Sequence, residues 1–184
     1  MSDRASADRP DHAGEPAHGT VPLITTVPLI ATVPLIATVP LIRGAGSGDA
    51  EGIAEVFLAA RAEMTYLPHL HSDEETRAWI AGVMLPSSQV WVAEVRGEVV
   101  GFAALHGDRL DHLYLAPAAQ NGGVGSALLG HAKKARPRGL DLYVFQRNTG
   151  ARRFYERHGF ALVAEGDGSG NEENLPDAHY RWRP

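Results

Sequence analysis

Apolar positions recur along the chain with two periods, and each period marks a kind of element. The run Gln89–Val95 alternates like a strand. Arg96-Gly97-Glu98 then turns it into a second strand, Val99–Leu105. Leu110–Leu115, Leu140–Phe145, Phe160–Glu165 and His179–Trp182 read as further strands. Helical spacing appears from Ala50 to about Met64, with Ile53, Val56, Phe57 and Ala60 on one face and Asp49 as the expected cap. Ser72 and Glu75 form a capping box for a second helix through Trp79, Ile80 and Val83. Two more helices are predicted, from Val124 to Ala135 and from Thr149 to His158, the last closed by Gly159. The order is strand, two helices, three strands, helix, strand, helix, strands. It predicts an α+β domain with one mixed sheet and helices over it.

The first part of the chain breaks this pattern. Residues 1–19 are polar and are expected to be disordered. Residues 20–43 are four copies of a hexapeptide, TVPLIT, TVPLIA, TVPLIA and TVPLIR. Pro22, Pro28, Pro34 and Pro40 fall once per copy. A proline costs a helix interior about 3 kcal/mol, so the uncharged stretch is no membrane helix. The copies in 20–37 are expected to be extra and extended or disordered. The last copy, Thr38–Arg43, is expected to be the strand that the domain uses, so the globular domain spans 38–184.

Composition narrows the chemistry. There is no cysteine among the 184 residues, which removes disulfides, thiolate metal ligation and a thiol nucleophile. The net charge is −5, with no long basic run, so no nucleic-acid partner is expected. No basic segment leads into an apolar core and small-residue cleavage site, so a cytoplasmic protein with no membrane partner is expected. His69-Leu70-His71 with Glu74 supplies too few ligands to dictate a metal site, and no metal is expected.

The most chemically specific segment is Gln120-Asn121-Gly122-Gly123-Val124-Gly125. It follows a strand and opens a helix. First-turn N–H groups have no partner within the helix, and the dipole adds positive charge, so an anion is favoured there. A nucleotide P-loop needs lysine after its last glycine, but Ser126 follows Gly125. A dinucleotide fingerprint needs a third glycine where Leu128 stands. Gln120-x-x-Gly123-x-Gly125 does resemble the Gln/Arg-x-x-Gly-x-Gly/Ala signature of the GNAT superfamily of N-acetyltransferases. The preceding Leu110–Pro117 strand and the segment Ala151-Arg-Arg-Phe-Tyr-Glu-Arg-His-Gly-Phe160 are similar to that family too, in the right order and spacing. Gly122 departs from it, because family members often carry a basic residue near there.

The resemblance implies a mostly antiparallel central sheet, helices on both faces and a V-shaped splay between two central strands, Leu110–Leu115 and Leu140–Phe145. It implies acetyl-CoA as acyl donor and direct transfer to a primary amine of a small molecule, peptide or protein. The pantetheine arm would pair with the backbone of Leu113, Tyr114 and Leu115. The pyrophosphate would lie on the amides of Asn121, Gly122, Gly123, Val124, Gly125 and Ser126, after Gln120. Asn148 would contact the cofactor, cap the following helix, or do both. Tyr155 would be the general acid at the donor sulfur. Asp111 is the candidate base. His112, Glu173 and Asp177 are further candidates, and a water chain could serve instead. Tyr66, His69, His71, Trp79 and Glu173 are expected near the acceptor. Family members are often dimers. A non-catalytic acyl-CoA-binding module and a repeat-driven assembly protein are the competing readings.

Overall fold

The computed structural model describes residues 39–184. The expectations for 1–19 and 20–37, and for Thr38, lie outside the described residues. In the described part, seven strands form one sheet in the order β1-β2-β3-β4-β5-β7-β6. β1 (Leu41–Gly44), β2 (Gln89–Val95), β3 (Glu98–His106) and β4 (Arg109–Leu115) are antiparallel neighbours. β5 (Leu140–Phe145), β7 (Asp177–Trp182) and β6 (Ala161–Gly166) form the other, antiparallel half. β4 and β5 are parallel.

β1 begins three residues later than expected. Arg43 fixes it, with its guanidinium on both oxygens of Asp49 at 2.8 Å and on Glu94 at 2.9 Å. The Asp49 carboxylate also accepts from the Gly46 N–H at 2.8 Å. Asp49 therefore does not cap the helix with its side chain, contrary to the sequence expectation, because these partners occupy it.

Strand alternation sends neighbouring side chains to opposite faces, and each face is covered. Val90, Val92, Phe102 and Ala104 pack against Ile53, Val56 and Phe57 of α1 (Ala50–Ala62) and against Ile80 and Met84. Trp91, Ala93, Ala103 and Leu105 pack on the other side with Leu128, Leu129 and Ala132 of α4 (Val124–Ala135) and Tyr155 of α5 (Thr149–Arg157).

α2 (Asp73–Trp79) starts at the predicted capping box. Ser72 Oγ accepts from the Glu75 N–H at 3.2 Å, and Glu75 Oε2 accepts from the Ser72 N–H at 2.8 Å. The helix then widens into a π-turn, Ile80–Met84, before the short α3 (Leu85–Ser87). Pro86 has no N–H and its ring crowds the preceding turn. The wider turn meets this, with the Leu85 N–H bonded to the Ile80 carbonyl. Ile80 and Met84 consequently face the core, while Val83, expected beside Ile80, is 53% exposed.

The antiparallel halves meet at β4 and β5, and there the sheet opens. Only Arg109 and Asp141 are in register, next to an Asp141 N–H bond to the Asp108 carbonyl at 3.0 Å. A bulge between Ala104 and Leu105 interrupts the β3–β4 ladder at the same level. Bulges bend a strand and raise its twist, and beyond this one β4 and β5 diverge.

Candidate active site

The divergence leaves a cleft of about 240 Å3, walled by residues 111–114 of β4 and by Tyr143, Val144 and Phe145 of β5. β4 turns its paired edge to β3, so its other edge presents unpaired backbone groups to the cleft. Leu113 and Leu115 pack into the α4–α5 side, and Tyr114 into the α1 side.

Past β4, the chain turns through Gln120, Asn121, Gly122 and Gly123 into α4. Asn121 and Gly123 have positive φ, 59° and 86°. The second conformation suits glycine, and it delivers the chain directly into the helix. Val124 and Gly125 are buried, whereas Asn121, Gly122, Gly123 and Ser126 are exposed. A Cβ on Gly125 would come within 3.3 Å of Leu115 and 3.4 Å of Phe154, so glycine lets the first turn of α4 lie against β4 and α5. The Gln120 side chain turns away, donating to Glu63 at 3.1 Å. The Ser126 hydroxyl is 3.0 Å from His158 Nε2.

Tyr155 and Asn148 bring α5 into the cleft wall. The Asn148 side chain accepts from the Ala151 N–H at 3.0 Å and so caps α5 while lining the cleft. The Tyr155 ring is wedged between Phe154 and Phe160, and its hydroxyl has no hydrogen-bond partner among the described residues. Burial, with a smaller push from Tyr114, raises its pKa far above the ordinary phenol value. The group is a neutral O–H, able to donate.

Asp111 and His112 both line the cleft, although alternation gives them opposite faces, because the cleft opens along the strand edge. They differ in state. Arg109 holds the Asp111 carboxylate in an ion pair. The His112 ring lies 5.5 Å from Trp79, 6.1 Å from Phe57 and 6.1 Å from Tyr114. Burial lowers its pKa, Arg61 and Arg109 push the same way, and Asp111 opposes them. His112 is a neutral base at pH 7.

At the far end, Arg61 donates to Glu173 at 2.9 Å and joins α1 to the β6–β7 loop. Burial works to lower the Arg61 pKa, but Glu173 and Tyr114 outweigh it and the result is raised. Burial also raises the Tyr114 pKa, against the Arg61 charge. Asn171 and Asp177 share this rim, with Asn171 Nδ2 donating to the Asp177 carboxylate at 3.1 Å.

Of the residues expected near an acceptor, Glu173 lines the cleft. Tyr66 lies one ring away, 6.1 Å from Phe145, with Arg147 over its face at 5.1 Å. Trp79 stands behind His112. His69 and His71 do not line it; both are exposed, and His71 meets Glu172 at 3.2 Å. Sequence reasoning missed Arg61, Met64, Tyr143, Phe145 and Asn171. Arg61 left one signal, since it lies four residues after Phe57 on the buried side of α1. Among the described residues, no group of three His, Cys, Asp or Glu is placed to hold a metal, and no helix is long and apolar enough to cross a membrane.

A mixed sheet that splays at its one parallel pair, beside a glycine-opened helix, is the GNAT fold. The acetyltransferase (GNAT) domain family model matches residues 86–162. The uncharacterized N-acetyltransferase YafP of Escherichia coli is 32% identical over 130 residues, covering 67% of this chain and 83% of that protein. The peptidyl-lysine N-acetyltransferase YjaB of Salmonella typhimurium is 36% identical over 84 residues, 45% of this chain and 57% of that protein. The solution structure of apo YjaB from Escherichia coli superposes with a TM-score of 0.65 at 25% identity, covering 78% of this chain and 97% of that one. The chain belongs to the GNAT family of acetyltransferases. It spans about half the length of several curated relatives it matches.

Proposed function

We propose that the chain is an N-acetyltransferase that moves the acetyl group of acetyl-CoA directly to a primary amine. The observation that carries this reading is Tyr155, a buried neutral phenol at a cleft between splayed strands and next to a helix N-terminus. In this reading the pantetheine arm extends along the free edge of β4 at Leu113, Tyr114 and Leu115. The pyrophosphate lies on the amides from Asn121 to Ser126, and Asn148 contacts the arm. The amine nitrogen attacks the thioester carbonyl, and a tetrahedral oxyanion forms, held by a β4 backbone N–H. The C–S bond then breaks, and the departing sulfur takes the Tyr155 proton. The proton lost by the amine goes to His112. That role fits His112 better than Asp111, because His112 is neutral and has no ion-pair partner, while Arg109 occupies Asp111.

We assign the acceptor as the side-chain amine of a lysine in a peptide. Curated relatives are named for peptidyl-lysine. The cleft rim also fits a cation, since Asp111, Glu173 and Asp177 outnumber Arg61 as charged lining groups. Glu173 lines this rim, Tyr66 stands one ring away beside Phe145, Trp79 backs His112, and His69 and His71 lie outside the cleft. A cytoplasmic location belongs to the same proposal, since the donor is a cytoplasmic metabolite.

The test is acetyl-CoA with lysine-bearing peptides and with free amines, read as CoA thiol release and as the mass of the acetylated product. Transfer to peptide lysine is expected. Absence of acetyl-CoA binding in calorimetry overturns the proposal, and transfer to small amines alone overturns the acceptor assignment.

A further inference from the structure

The glycine turn carries no cation of its own: from Ala116 to Gly130 there is neither lysine nor arginine. An anion there meets backbone N–H groups and the Ser126 hydroxyl on the first turn of α4. That hydroxyl is already committed to His158, whose ring nitrogens have two contacts among the described residues. Nδ1 is 2.8 Å from the Phe154 carbonyl oxygen, and Nε2 is 3.0 Å from Ser126 Oγ.

A carbonyl oxygen has no hydrogen to give, so Nδ1 carries the N–H. In the neutral ring Nε2 is then the acceptor, and the Ser126 O–H points inward to it. In the protonated ring Nε2 becomes a donor. Ser126 Oγ accepts from it, and the hydroxyl hydrogen is released to point elsewhere. Ser126 is exposed on the first turn of α4, so the freed hydrogen is available to a phosphate oxygen seated there.

We propose that His158 is a positioning residue for the anionic end of acetyl-CoA. Its protonation turns the Ser126 hydroxyl outward, so donor binding is coupled to the uptake of one proton. This rests on the reading that the N-terminus of α4 takes the pyrophosphate. The charged groups around His158 do not compete for its ring nitrogens. Lys133 of α4 donates to its backbone carbonyl, and Glu156 and Arg157 are its neighbours on α5. The Phe154 ring packs against the imidazole at 4.4 Å.

The experiment measures the acetyl-CoA dissociation constant by calorimetry at pH 6 and pH 8, for the full chain and for Ser126→Ala. The phosphates of acetyl-CoA titrate alike with both proteins, so the difference in slope isolates the switch. The unaltered chain is expected to lose at least about tenfold more affinity on going to pH 8 than the variant does, the worth of one hydrogen bond to a charged group. Equal slopes with intact binding overturn this inference alone. Absence of binding at both pH values removes it together with the acetyltransferase reading. Should Ser126→Ala not fold, the His158 ring is followed by NMR in the unaltered chain with and without CoA. By reciprocity of linkage, CoA shifts its protonation to higher pH, and an unmoved titration overturns the proposal.

Discussion

The two ends of the cleft are built from different material. The wall proposed for acetyl-CoA is one continuous stretch, β4 through the first turn of α4, with α5 against it. What it offers is largely backbone: the free edge of β4 and the amides of a turn. The opposite end is assembled from side chains that are far apart in sequence. Arg61 and Glu173 are separated by 112 residues and meet at 2.9 Å. Backbone donors are placed by local turn chemistry. Side-chain donors can be exchanged without touching the fold.

The most severe way to break the comparison is at Tyr155, which lines the cleft from α5. Tyr155→Phe keeps the ring between Phe154 and Phe160 and removes only the hydroxyl. The turnover number is expected to fall by about a hundredfold or more, as for loss of a general acid. Calorimetry should show acetyl-CoA affinity within about twofold of the unaltered chain. An unchanged turnover number would take the proton-donor role from this residue.

A smaller loss is expected from Gly123→Val, which acts on the donor wall alone. A Cβ there meets nothing within 4 Å, so the effect comes from the backbone. The φ of 86° is strained for a β-branched residue, and the turn must shift to relieve it. The KM for acetyl-CoA should rise by about tenfold, while the acceptor KM stays put. Equal rises in both would mean that the two walls are not separable.

How much could be read beforehand follows the same division. The capping box at Ser72, α4 from Val124 to Ala135 and β5 from Leu140 to Phe145 were legible because local chemistry sets them. So was the glycine turn, since positive φ leaves a mark in residue type. The π-turn at Ile80–Met84 was not legible, and Val83 was misplaced for that reason. Helical periodicity assumes a constant twist, and Pro86 changes it locally. Asp49 looked like a cap in isolation, but Arg43 and Gly46 claim its carboxylate. His69 and His71 suggested a site by residue type, yet they project outside the cleft. Arg61 gave no hint of Glu173, because nothing local predicts a partner in a loop beyond five strands.

The acceptor wall alone is probed by Glu173→Gln, with an effect of a few-fold. The change keeps the side chain's shape, removes one carboxylate from the rim and leaves Arg61 without its ion-pair partner. The KM for a lysine peptide is expected to rise about three- to fivefold, and the KM for acetyl-CoA is expected not to move. A peptide whose lysine is flanked by acidic residues should be less affected, because the freed guanidinium can meet it. The opposite ranking of the two peptides would count against a cationic acceptor.

The finest distinction is thermodynamic, and it concerns His112. Burial lowers its pKa in the folded chain below the ordinary imidazole value of 6.5. Below that value the unfolded chain takes up a proton that the folded chain resists. Stability is therefore fully present above about pH 6.5 and falls as the pH drops toward the folded-state pKa, with a slope of at most about 1.4 kcal/mol per pH unit from one such group. His112→Phe places a neutral ring among Phe57, Trp79 and Tyr114 and removes this term. Thermal denaturation of both proteins from pH 8 to pH 5 should show melting temperatures that change position relative to each other by a few degrees on the acid side, to the variant's advantage. The carboxylates contribute equally to both proteins and cancel in the difference. Ser126 lies on the first turn of α4, outside the cluster of rings around His112, so Ser126→Ala should leave the acid limb of stability nearly unchanged. Parallel curves for His112→Phe and the unaltered chain would mean that His112 is not held neutral by burial, and its role as proton acceptor would lose its physical basis.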